Sequence, residues 1–77
     1  MQLSIYEIAK ELELESGTVR IWLDNFRFNS FRQKIKPVSY NVTKEMLDIL
    51  EEYLSKKKQT SKIKETIWHL KWLRARV

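Results

Sequence analysis

Between Phe31 and Val42 the apolar residues change their spacing, and that change constrains the fold more than any other feature of the chain. Phe31 and Ile35 alternate with Arg32 and Lys34, and after Lys36-Pro37 the residues Val38, Tyr40 and Val42 alternate with Ser39 and Asn41. A two-residue period sends successive side chains to opposite faces of a strand, so this stretch predicts a small two-stranded hairpin. Its apolar side should cover a core, with Arg32, Lys34 and Lys36 projecting away. On either side of it the period is helical. Ile5, Ile8, Ala9 and Leu12 form one stripe, Val19, Trp22, Leu23 and Phe26 a second, and Met46, Leu47, Leu50, Tyr53 and Leu54 a third. A short hairpin is marginal alone and must lean on helices. The expected fold class is therefore mainly α with a small β-hairpin. With 77 residues, one domain with one small core is expected, since a chain of this size buries only about 60% of its unfolded surface.

Local signals divide the chain further. Ser4-Ile5-Tyr6-Glu7 has the form of a capping box, with Leu3 and Ile8 at the flanking staple positions, so a first helix starts at Ile5. Leu14 falls in a turn, and Glu15 or Ser16 caps a second helix running to about Asn25. Thr43 caps a third helix, the run SKKKQTS ends it, and a fourth begins near Ser61. The expected segments are a helix-turn-helix over 4–26, a hairpin over 27–42, a third helix over 43–56 and a C-terminal helix over 61–76.

Charge follows this division. Residues 1–26 hold two bases and five acids, 27–40 four bases and no acid, 41–55 one base and four acids, and 56–77 eight bases and one acid. Two basic blocks separated by acidic ones, in a chain of net charge +5, are the electrostatic footprint of a polyanion binder. Other classes find little support. The chain has no cysteine and one glycine, which removes disulfides, thiolate chemistry and a Walker-type phosphate loop. His69 alone cannot build a metal site, and no nucleophile-base pair or paired-carboxylate cleft is discernible. No enzyme activity, cofactor or metal is expected. The N-terminus lacks the basic and apolar regions of a signal peptide and no 18-residue apolar run occurs, so a cytoplasmic protein is expected, without a membrane partner.

The residues also carry a family resemblance. IYEIAKELELESGTVRIWL resembles the helix-turn-helix of the MerR superfamily and of excisionase-type proteins, which reads I-x-x-x-A-x-x-x-G-V-S-x-x-T-[LIV]-R-x-[WY]. Ile5, Ala9 and Leu14 match its buried positions and Thr18-Val19-Arg20-Ile21-Trp22 its T-L-R-x-[WY] segment, while SYNVTKEML resembles the passage from wing into third helix. The departure is Glu13, where such proteins usually have glycine in the turn, and their long dimerising coiled coil is missing. The resemblance implies a winged helix-turn-helix that binds double-stranded DNA, with prokaryotic, phage or plasmid origin, as an accessory factor in recombination or DNA transfer or as a transcriptional repressor. Besides DNA, the expected partner is a second copy on an adjacent DNA site or a larger recombinase, relaxase or polymerase.

On that reading the start of the second helix enters the major groove. Ser16, Gly17, Thr18, Arg20 and Ile21 are its outward residues, with Arg20 on phosphate and Gly17 permitting close approach. The alternatives are an Arg20–Asp24 pair at i,i+4 and a purely structural Thr18 hydroxyl. Trp22 belongs to the core. In the wing, Arg27, Arg32, Lys34 and Lys36 would reach flanking phosphates or the minor groove, or are ordinary surface cations.

The C-terminal helix has two apolar stripes. Ile63, Ile67, Leu70, Leu73 and Val77 suit a core contact; Trp68, Trp72 and Ala75 lie nearly opposite, beside Lys64 and Lys71. The tryptophans either fold back on the domain or mediate self-association on adjacent DNA sites. A basic, tryptophan-bearing helix also suits a membrane surface or a protein groove, which is the rival reading of the chain.

Overall fold

A computed structural model describes residues 1–33 and 38–77. Its elements run β1 (Gln2–Ser4), α1 (Ile5–Leu12), α2 (Ser16–Leu23), a 3-10 turn (Phe26–Phe31), β2 (Arg32–Gln33), β3 (Ser39–Asn41), α3 (Lys44–Ser55) and α4 (Ser61–Arg76). The fold is mainly helical with a small antiparallel sheet.

Caps set most helix starts. The Ser4 hydroxyl accepts from the Glu7 amide at 3.1 Å while the Glu7 carboxylate accepts from the Ser4 amide at 2.9 Å, so the capping box is formed in both directions. These bonds hold the Glu7 carboxyl below its ordinary range, the backbone contact contributing most. Thr43 and Thr60 accept from the amides of Met46 and Ile63, each at 3.2 Å. Glu15 starts α2 with no side-chain cap. The Gln59 amide group donates to the carbonyls of Leu54, Ser55 and Lys57, closing the C-terminus of α3.

The turn between α1 and α2 is a Schellman motif built on a glutamate. Glu13 adopts φ 55° and ψ 46°, its amide reaching the Lys10 carbonyl, and the Leu14 amide reaches that of Ala9. A side chain in this left-handed region costs about 1 kcal/mol. Contacts from α4 hold it there: Lys62 Nζ donates to the Glu13 carbonyl at 3.0 Å, and the His69 ring lies against Leu12 and Glu13.

Three expectations require correction. The second helix does not continue to Asn25. Asn25 takes an extended conformation and its side chain accepts from the Arg27 amide at 3.0 Å, capping the 3-10 turn. The helical register is lost there, so Phe26 is 79% exposed rather than inward, and Phe28 fills the core. Secondly, the sheet has three strands, in the order β1-β3-β2. Leu3 of β1 and Arg32 of β2 both stand opposite Tyr40 of the central strand. Directly opposed residues share a face, so Arg32, expected to project away from the apolar side, lies on the face of buried Tyr40 at the sheet edge. Lastly, residues 27–31 of the expected hairpin belong to the 3-10 turn. The expected alternating strand through Lys34, Ile35 and Lys36, with its break at Pro37, falls outside the described residues.

One core joins these elements. Leu12, Val19, Leu23, Phe28, Tyr40, Met46, Leu50, Leu54 and Leu70 are fully buried, and Trp22 is 7% exposed. From α4, Thr66 is buried beside Leu70 and Leu73, its hydroxyl donating to the Lys62 carbonyl at 2.9 Å, while Ile63, Ile67 and Val77 pack at the edge. The acidic blocks answer part of the basic C-terminal one. Arg74 forms a two-pronged contact with Asp48 of α3 at 2.7 and 3.3 Å, and Arg76 does the same with Glu11 of α1 at 2.7 and 3.4 Å. The guanidinium holds the Asp48 carboxyl below its ordinary value. Part of the charge segregation is therefore internal strapping by α4.

Candidate nucleic-acid interface

The first turn of α2 stands at the surface. Gly17 is exposed, Ser16 and Thr18 are half-buried, and Arg20 and Ile21 point outward while Val19, Trp22 and Leu23 face the core. A Cβ placed on Gly17 would meet nothing within 4 Å, and its φ is not positive. The fold therefore does not require glycine at this position. Gly17→Ala should raise the unfolding midpoint, by up to about 1 kcal/mol in stability, because alanine is the better helix former. A lower midpoint in thermal denaturation would contradict this open placement.

Arg20 and Arg32 come together although twelve positions separate them. With Asp24, Tyr6 and Tyr40 they line a cleft of about 220 Å³, together with Ile5, Val38 and Ser4. Secondary structure explains the meeting. Arg20 lies on the outer face of α2, and Arg32 is carried to its flank by pairing with Tyr40 in the sheet. No Arg20–Asp24 ion pair occurs among the described residues. Burial raises the Tyr40 hydroxyl above its ordinary pKa, with Asp24 adding to the effect and Arg32 and Arg20 opposing it. The cleft thus presents two guanidinium groups and a neutral phenol, tempered by one carboxylate.

No family model, curated protein or solved structure matches the chain.

The other sequence-assigned residues separate. Arg27 sits on the 3-10 turn rather than a wing strand and pairs with Glu52 of α3 at 3.3 Å. Glu52 also binds Lys56 at 3.2 Å, and these cations hold its carboxyl below the ordinary range, Lys56 foremost. Arg27 is therefore turned to internal pairing. Lys34 and Lys36 lie outside the described residues. Trp68 and Trp72, which do not fold back, are 58% and 60% exposed on α4, in edge contact with ring centroids 5.7 Å apart. They line a shallow depression with Lys71 and Ala75. No helix among the described residues is long and apolar enough to cross a membrane.

Two features escaped the sequence reading. Tyr6, exposed on α1, borders the arginine cleft, and only the packing of α1 beside the sheet could reveal it. His69 is not alone: Glu13 and Glu65 approach it closely. Glu65 was legible as its i−4 neighbour on one helix face, but Glu13 comes from a turn 56 positions away.

Proposed function

We propose that this chain is a winged helix-turn-helix protein that binds double-stranded DNA sequence-specifically, as an accessory or regulatory factor of the excisionase, DNA-transfer or repressor kind. The observation that carries the reading is the cleft shared by Arg20 and Arg32, beside a helix start whose Gly17 the fold itself does not need. Two guanidinium groups at the junction of α2 and β2 suit the backbone phosphates of a duplex. Ser16, Gly17, Thr18 and Ile21 then face base edges in the major groove. Arg32, with Lys34 and Lys36, serves as the wing on flanking backbone or minor groove. Arg27 contributes by fixing the 3-10 turn to α3. Such a protein positions DNA and partners on it and performs no chemistry.

Selection of bound duplexes from random sequence tests the reading, and a recurrent motif is the expected result. Co-sedimentation with anionic vesicles and no duplex binding at low salt would instead establish the membrane-surface reading.

The exposed tryptophan pair points to cooperation on DNA. A single module of this size buries only about 600–1,000 Å² on a duplex, which gives modest specificity unless copies assist one another. Aromatic anchors dominate interface energies, and DNA holding two copies supplies the effective concentration for a weak contact. Binding to a two-site probe should be cooperative, and replacing Trp68 and Trp72 by alanine together should abolish cooperativity while single-site affinity and unfolding midpoint persist. Undiminished cooperativity in the double variant would place the contact elsewhere.

A further inference from the structure

We propose that Glu13, Glu65 and His69 form a zinc-class divalent metal site that fastens the α1–α2 turn to α4. The donor atoms of the three side chains all lie within 4.8 Å of one another. His69 Nδ1 is 3.2 Å from the Leu12 carbonyl oxygen, and its Nε2 is 3.2 Å from Glu13 Oε2. A carbonyl only accepts, so Nδ1 carries a proton and donates. In the neutral ring Nε2 then presents a lone pair, and that lone pair faces a carboxylate oxygen. An ion bound by both would sit between that lone pair and the carboxylate oxygen, within reach of Glu65 as well.

Glu65 stands one turn before His69 on α4, and Glu13 comes from the left-handed turn between α1 and α2. A divalent cation would take the Nε2 lone pair and one oxygen from each carboxylate. The second-sphere arrangement fits as well, because a metal-binding imidazole commonly donates its other N–H to a backbone carbonyl that fixes ring and tautomer. Here that carbonyl is Leu12, and the ring is only 12% exposed. One imidazole with two carboxylates suits zinc, whereas magnesium and calcium prefer oxygen donors throughout. Three protein ligands leave a fourth position for water on the open side, where Glu13 and Glu65 are exposed. Lys62 engages Glu13 through its backbone carbonyl rather than its carboxylate.

Titration of the whole chain with Zn²⁺ in a calorimeter, with Co²⁺ as an absorbing substitute, tests the site. The expected result is one ion per chain, a visible band of low-coordinate Co²⁺, a movement of the His69 Nε2 nitrogen resonance on adding Zn²⁺, and a raised unfolding midpoint. Glu65→Gln should weaken Zn²⁺ binding by at least about ten-fold and His69→Gln by more. Because Glu65 is exposed, its variant should keep the metal-free unfolding midpoint and carry the test even where the His69 variant fails to fold. No binding at submillimolar Zn²⁺, an unmoved His69 resonance, or an affinity unchanged by Glu65→Gln would each overturn the assignment.

Discussion

Trp22→Ala is expected to remove about 3–5 kcal/mol of stability, the range for truncating a large buried aromatic. The loss is a large share of the stability of such a chain, since 77 residues at 0.05–0.15 kcal/mol each give about 4–12 kcal/mol. Trp22 is 7% exposed and sits between Val19, Leu23 and the rest of the core. Its removal would leave a cavity at the centre of the packing of α2, and neighbours held by caps and sheet pairing have little room to collapse into it. Urea unfolding followed by circular dichroism should show the midpoint moved far toward zero denaturant, in proportion to that loss. The same truncation at Trp68 or Trp72 should change stability by about 0.5 kcal/mol or less, as for exposed sites. A stable Trp22→Ala protein that fails to bind DNA would mean that the inward and outward faces of α2 are the reverse of those described.

The second large effect concerns salt. If α2, the wing and remaining exposed bases together neutralise about six phosphates, log K should fall against log salt with a slope near −5, or about 10³-fold in affinity between 50 and 200 mM salt. Removing Arg20 and Arg32 together should flatten that slope by about two units and weaken all sequences alike, because both contacts go to phosphate. Arg27→Ala should change the slope little, since its guanidinium is engaged with Glu52. Gel shifts or fluorescence anisotropy over a salt series measure these quantities. A slope between 0 and −1 for the parent would rule out a polyanion interface, and an unchanged slope in the double variant would move the phosphate contact away from the cleft.

Several elements were legible because their causes are local. The capping box Ser4–Glu7, the caps Thr43 and the break after Ser55, and the stripe Met46, Leu47, Leu50 and Leu54 each depend on residues within one or two turns. Where a second local signal competes, the period misleads: the four-residue spacing from Trp22 to Phe26 is helical, but Asn25 caps a new turn, so that Phe28 rather than Phe26 is buried. Strand β1 escaped because three residues are too few to show a period, and its last residue doubles as the cap of α1. The side assigned to Arg32 went wrong for a related reason. Alternation says which residues share a strand face, but pairing with Tyr40 decides which face that is.

The candidate site divides along the same line. Sequence by itself determined the helical framework, the surface start of α2 with Ser16, Gly17 and Thr18, the inward Trp22, and the two-sided character of α4, since these follow from period and caps within one element. Only the tertiary structure decided that Arg20 and Arg32 share a cleft, that Arg27 turns to Glu52 and Arg74 and Arg76 to Asp48 and Glu11, that Trp68 and Trp72 stay uncovered, and that Glu13 meets Glu65 and His69. The contacts among these join residues from separate elements, and both their approach and the exposure of the two tryptophans are set by strand register and helix packing rather than by any spacing along the chain.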